Sequence, residues 1–128
     1  MPDMPTLKIL IVDDEPVMHK LLSSFIFELG HQSESTFNGP DALNAIKNQS
    51  FDLILTDVRM PGMDGLELLE KIRHTHPQLP VVIITGHGDP TMSEKAKALG
   101  AYDFIIKPVS LVKFMQLIKE IMNAKAES

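Results

Sequence analysis

Residues 52–65 read DLILTDVRMPGMDG, and the reading of this stretch decides the fold. Three large aliphatic side chains and a threonine run straight into Asp57, then into a turn that holds a proline and two glycines. A strand that is apolar on both sides has no polar face to offer to water. It therefore belongs in the middle of a parallel sheet covered by helices on both faces. Its last residue then falls at the carboxyl rim of the sheet, where ligands bind in open α/β folds.

The same unbroken apolar character recurs in KILIV at 8–12 and VVIIT at 81–85. Strands are predicted at 7–12, 32–37, 52–56, 81–85 and 102–106. The segment HQSESTF is too polar for the centre of a sheet and YDFIIK mixes apolar residues with charge, so these two are predicted to be edges. Helical patterns alternate with the strands. Val17, Met18, Leu21, Leu22, Phe25, Ile26 and Leu29 recur at three- and four-residue steps and predict one apolar helix face, with Gly30 as the stop. Weaker patterns cover 40–48, 65–74 and 90–99, and Ser110 is the predicted N-cap of a last helix reaching about Met122. The closing AKAES reads as frayed or as the lead into something longer. Five β-α units with right-handed crossovers predict an α/β doubly wound parallel sheet, five-stranded in the order 2-1-3-4-5, with five helices in alternation.

Composition sets the outer bounds. A chain of 128 residues suits one domain, 1–128 with a core of about 7–123, that buries roughly two-thirds of its unfolded surface. Seventeen acidic residues against twelve scattered basic ones argue against a nucleic-acid surface within this domain. The absence of cysteine excludes disulfides and thiolate chemistry. No apolar run approaches a membrane span and the short polar start is no signal peptide, so a cytoplasmic location with no membrane partner is expected.

The polar residues at the strand ends carry the chemistry. Strand 1 runs into Asp13, Asp14 and Glu15, strand 3 into Asp57, strand 4 ends in Thr85 and strand 5 runs into Lys107. Each has an ordinary structural use: acids favour the start of the helix that Pro16 opens, aspartate suits turns, and threonine suits strands. Their convergence on one rim is the signal. Crowded carboxylates repel one another and are relieved by a cation. Oxygen donors without histidine or cysteine favour Mg2+, and Lys107 adds positive charge. An ion beside Asp57 would screen an incoming phosphoryl group, which makes Asp57 a candidate nucleophile for an acyl phosphate.

At these residues the sequence resembles the receiver domain of two-component response regulators, which has a flavodoxin-like fold. The matching pieces are ILIVDDEP, NGPDAL, DLILTDVRMPGMDGLELL, VVIITGHGD and GAYDFIIKP, covering about residues 8–122. The resemblance implies that Asp57 is the phosphoacceptor, supplied by a phosphohistidine on a sensor histidine kinase. It implies that Asp14, the Asp57 side chain and the backbone carbonyl of Arg59 ligate Mg2+, while Asp13 holds a metal-bound water. Lys107 would pair with the phosphoryl oxygens and Thr85 would hydrogen-bond one of them. Phe104 stands at the family's switch aromatic, and the bond between Lys107 and Pro108 is often cis in the family. Phosphorylation would draw Thr85 and the loop 86–90 inward and admit Phe104 to the vacated space. Arg59 and His87 resemble the positions that tune phosphate lifetime. Such a protein is a switch that assists its own phosphorylation and dephosphorylation, not an enzyme on other substrates. TGHGD with AYDFIIKP resembles receivers joined to transcriptional output modules.

The resemblance also implies that helix 4, strand 5 and helix 5 form the surface for an output domain or a phosphorylation-dependent homodimer. On the last helix Val112 and Leu117 flank a predicted core stripe of Leu111, Phe114, Met115, Ile118 and Ile121. Met18, Met115 and Met122 fall at core spacing, His74 and His76 are too close to share a helix face, and His19 and His31 have no evident partner. A Mg-dependent aspartyl-phosphate phosphatase of the haloacid dehalogenase type is the main rival. It needs D-x-D at the end of its first strand, whereas Asp57 is followed two residues on by Arg59, and there is no cap domain. A flavin carrier would need a hydroxyl- and glycine-rich first turn where this one is acidic, and a receiver used only for docking would not need the full acceptor set.

Overall fold

The computed structural model describes residues 5–86 and 88–127. Five strands, β1 (Lys8–Val12), β2 (Gln32–Thr36), β3 (Leu53–Thr56), β4 (Val81–Thr85) and β5 (Asp103–Ile106), alternate with five helices. These are α1 (Pro16–Glu28), α2 (Gly39–Asn48), α3 (Gly65–Thr75), α4 (Pro90–Ala98) and α5 (Leu111–Glu127). The sheet is parallel throughout, in the order β2-β1-β3-β4-β5. Polarity explains the order: β3 and β4 are buried along their whole length, and the polar β2 and the mixed β5 stand at the edges.

Alternation along the strands divides the core in two. Ile9, Ile11, Leu53, Leu55, Val82 and Ile84 point to the face covered by α1 and α5. Leu10, Val12, Ile54, Val81 and Ile83 point to the face covered by α2, α3 and α4. Side-chain caps fix where helices begin: Asn38, Asp64 and Asp89 accept from the backbone N–H three residues on, as does Ser110 at the start of α5.

Three expectations about the helices are corrected. On α1 only Met18, Leu22 and Ile26 among the apolar stripe are buried, while Val17 is 78% exposed and Leu21 lies at the surface. A helix lying on a flat sheet needs one i, i+4 row with flanking contacts, and the run supplies more apolar residues than that. On α5 Leu117 belongs to the core with Phe114, Ile118 and Ile121, whereas Leu111 and Met115 are exposed alongside Val112. The chain past Met122 is helical to Glu127, because Ala, Lys and Glu there are strong helix formers.

Gly30 does end α1. Its φ of +86° lets the chain turn back, with His31 N–H donating to the Ile26 carbonyl at 3.0 Å. The turn delivers His31, which the sequence leaves without a partner, to the start of β1: Leu7 N–H donates to His31 Nδ1 at 3.0 Å. Burial holds the imidazole below its usual titration range, partly opposed by Asp52. A proton on Nδ1 would remove the acceptor. The unfolded chain therefore takes up that proton at a higher pH than the folded one, so stability present above about pH 6.5 is lost as pH falls. Urea unfolding across this range should show a loss of about 1 kcal/mol, the worth of one hydrogen bond. His31→Asn keeps an acceptor at the same reach without titrating, and should remove that part of the slope; an unchanged slope would assign it elsewhere.

Candidate functional site

The parallel sheet brings the strand ends together. Asp13 follows β1 and donates its N–H to the Thr36 carbonyl at 3.2 Å, and Asp57 follows β3 and donates its N–H to the Val12 carbonyl at 3.0 Å. Both side chains are nearly sealed, with the residues 3% and 6% exposed. Asp13 Oδ1 accepts from Glu15 N–H at 2.9 Å, and Asp57 Oδ1 accepts from Arg59 N–H at 3.2 Å. Asp14 and Glu15 face solvent, and Glu15 occupies the N-cap position of α1 ahead of Pro16 without capping through its side chain.

Lys107 follows β5, where its N–H donates to the Thr85 carbonyl at 2.8 Å. From there its side chain crosses the end of β4. Lys107 Nζ stands 3.0 Å from Asp57 Oδ2, 3.3 Å from Asp13 Oδ2 and 3.5 Å from Glu15 Oε1. Burial alone would lower its pKa, but the hydrogen bond to Asp57 and the charges of Asp13 and Asp57 outweigh it and raise the ammonium above its usual range. The Asp13 carboxyl is pushed up, chiefly by burial and further by Asp57, against the pull of Glu15 N–H and Lys107. One ammonium leaves this cluster of acids under-neutralised.

Oxygens of Asp13, Asp14, Glu15 and Asp57 all lie within 4.8 Å of one another. Four carboxylates without nitrogen or sulfur donors suit a hard, oxygen-preferring divalent ion, and a positive charge there would oppose the effect of burial on Asp13. Asp13, Asp14, Asp57 and Lys107 thus share one site, as the strand polarity implies. Thr85 is buried at the end of β4, opposite Ile106 in the ladder. Phe104 is half-buried in β5, opposite Ile83, and packs on the α2, α3 and α4 side of the sheet. The bond between Lys107 and Pro108 is cis. Arg59 is exposed, and His87 lies outside the described residues. Sequence reading leaves the contacts of two residues unseen. His19 is buried and its Nε2 stands 2.6 Å from the Asp13 carbonyl oxygen. Gly65 packs against the backbone of Asp57.

Comparison with known proteins agrees with this geometry. The family model described as response regulator receiver domain matches residues 9–119. The response regulator protein PilR of Pseudomonas aeruginosa is 37% identical over 123 residues, which are 94% of this chain and 28% of that protein. The sporulation initiation phosphotransferase F of Bacillus subtilis is 33% identical over 93% of this chain and 96% of its own length. The crystal structure of the receiver domain of NtrX from Brucella abortus superposes with a TM-score of 0.84 at 36% identity, covering 90% of this chain and 98% of that one. Thus the chain spans only 28% of PilR and nearly all of the phosphotransferase. No helix among the described residues is long and apolar enough to cross a membrane. The haloacid dehalogenase reading finds no support in these relatives. On its sheet order, its matched residues and its relatives, the chain belongs to the response regulator receiver domains of two-component signalling.

Proposed function

We propose that Asp57 accepts a phosphoryl group from a phosphohistidine on a sensor histidine kinase, and that the resulting acyl phosphate switches the face formed by α4, β5 and α5. A single observation carries the assignment. Asp57 is a sealed carboxylate that holds Lys107 Nζ at 3.0 Å and shares its surroundings with Asp13, Asp14 and Glu15. That arrangement is suited to a group that arrives with its own negative charge and needs positive partners.

Asp57 oxygen attacks phosphorus as the bond to the histidine nitrogen breaks, and the electron pair of that bond returns to the imidazole. Lys107 is held over the site by Asp57 and Asp13 before phosphate arrives, so little reorganisation is required of it. Asp14, the Asp57 side chain and the Arg59 carbonyl would hold Mg2+, and Asp13 would act on it through a water. Bound there, Mg2+ supplies charge neutralisation to the phosphoryl oxygens. The exposed Arg59, and His87, tune how readily water reaches the phosphate. The same assembly lets the protein assist its own phosphorylation and dephosphorylation without acting on other substrates.

The single receiver, residues 1–128 with a core of about 7–123, acts in the cytoplasm. It responds through a homodimer or an output domain at the α4, β5 and α5 face, where Ile106 is 53% exposed on the edge strand. Acetyl phosphate with magnesium should add one phosphoryl group per chain by intact mass, and a chelator should prevent it. A chain that takes up no phosphate under these conditions would overturn the proposal.

The switch itself turns on Thr85. Its hydroxyl gains a phosphoryl acceptor, which favours the arrangement with Thr85 and the loop after β4 drawn in and Phe104 turned inward. Thr85→Ala is expected to take up phosphate yet show amide shifts at Phe104 and α4 reduced several-fold when beryllofluoride is added. Full-sized shifts in that variant would remove Thr85 from the switch.

A further inference from the structure

We propose that His19 is a positioning residue for the divalent-ion site: its Nε2–H holds the Asp13 carbonyl and so sets where the Asp14 carboxylate stands. This inference rests on the magnesium site proposed above.

The ring is buried, 6% exposed, one turn into α1, and reaches back along the helix to the chain that precedes it. Nε2 lies 2.6 Å from the Asp13 carbonyl oxygen. An oxygen with only lone pairs to offer requires the proton to be on Nε2. Nδ1 is buried and has no hydrogen-bond partner among the described residues, so the ring is held through Nε2 alone. The ring also packs on Phe37, at 4.3 Å between centroids and tilted by 44°.

The consequence runs through one peptide plane. The Asp13 carbonyl belongs to the planar unit that ends at the Cα of Asp14, so a fixed carbonyl fixes the direction in which Asp14 leaves the turn. Asp13 has other anchors: its N–H on the Thr36 carbonyl, Glu15 N–H on its Oδ1, and Lys107 on its Oδ2. Asp14 has none of these, since its exposed side chain makes no hydrogen bond among the described residues. His19 thus restrains the carbonyl side of the peptide from which Asp14 projects, beside the turn that Asp13 Oδ1 makes to Glu15 N–H, and an ion site loses affinity when a ligand must be ordered at the moment of binding.

Two substitutions separate the donor from the ring. His19→Phe keeps an aromatic ring against Phe37 and loses the N–H, whereas His19→Gln loses the ring and keeps an amide N–H of similar reach. Titration of the whole chain with magnesium alone, followed by amide shifts in NMR, reads the affinity directly without phosphate. The expected result is about fivefold weaker binding for His19→Phe, the equivalent of one hydrogen bond, and recovery to near wild type for His19→Gln. Equal affinity in His19→Phe and wild type would overturn the proposal, and so would equal loss in both variants. Wild-type protein that does not bind magnesium would instead overturn the metal site itself. Should the variants not fold, the ring of the wild-type protein decides: nitrogen-resolved spectra are expected to show a proton on His19 Nε2, and a ring protonated on Nδ1 alone contradicts the proposal.

Discussion

Asp57→Asn is expected to lower phosphate uptake from acetyl phosphate by at least about two orders of magnitude, the scale on which removal of a nucleophile acts. The amide that replaces the carboxylate has no charged oxygen to attack phosphorus. The neighbouring acids are poor substitutes for reasons visible in the structure. Asp13 is sealed, with one oxygen on Glu15 N–H and the other on Lys107. Asp14 and Glu15 are open to water, and a charge there keeps its hydration until phosphate arrives. Lys107 would also lose the negative charge at 3.0 Å and keep ion pairs with Asp13 and Glu15 alone. Intact mass after incubation with acetyl phosphate and magnesium, followed by mapping of any modified peptide, measures both extent and position. Uptake by the variant at the wild-type rate would refute Asp57 as the acceptor. Slow uptake at Asp14 would agree with the geometry, because Asp14 lies in the same acidic cluster.

Much of the fold was legible because parallel strands have a plain physical signature. A strand covered on both faces must be apolar throughout, and the polarity of QSEST leaves β2 nowhere but an edge. Once the order was set, the site followed, since the residues after β1, β3 and β5 fall on one rim whatever their distance in sequence. Lys107 and Asp13 are 94 residues apart and meet at 3.3 Å for that reason alone.

What the sequence hid depends on contacts that periodicity does not encode. The apolar run of α1 has no mark that separates Met18, which the sheet covers, from Val17, which it does not. His31 finds its acceptor role only when β1 lies beside the end of α1, 24 residues away in sequence. His19 turns back to a carbonyl six residues earlier, outside the three- and four-residue spacings by which helix partners are sought. The face of α5 is hidden for the same reason: Leu117 and Met115 are both apolar, and only the sheet decides between them.

Gly65→Ala is expected to destabilise the chain by about 3 kcal/mol or more, the upper range for overpacking a site that cannot give way. A methyl group there would stand 2.0 Å from the Asp57 carbonyl oxygen, 2.8 Å from its carbon and 2.9 Å from Val58 Cα. All three are backbone atoms, and none can rotate aside as a side chain would. The two segments are also tied, because Gly65 N–H donates to the Val58 carbonyl at 2.8 Å, so relief of the clash must stretch that bond or move the start of α3. Gly62 makes the contrast. A methyl group there meets nothing within 4 Å, but φ is +77°, so Gly62→Ala should cost only about 1–2 kcal/mol of backbone strain. The displaced peptide in Gly65→Ala is the one that joins Asp57 to Val58, and its movement redirects the carboxylate that faces Lys107. Urea unfolding and acetyl phosphate uptake should therefore fall together in Gly65→Ala, whereas Gly62→Ala lowers stability and leaves uptake nearer to wild type. Wild-type stability in Gly65→Ala would show that α3 moves away freely, and the position of Asp57 would then be set by the sheet without help from the helix.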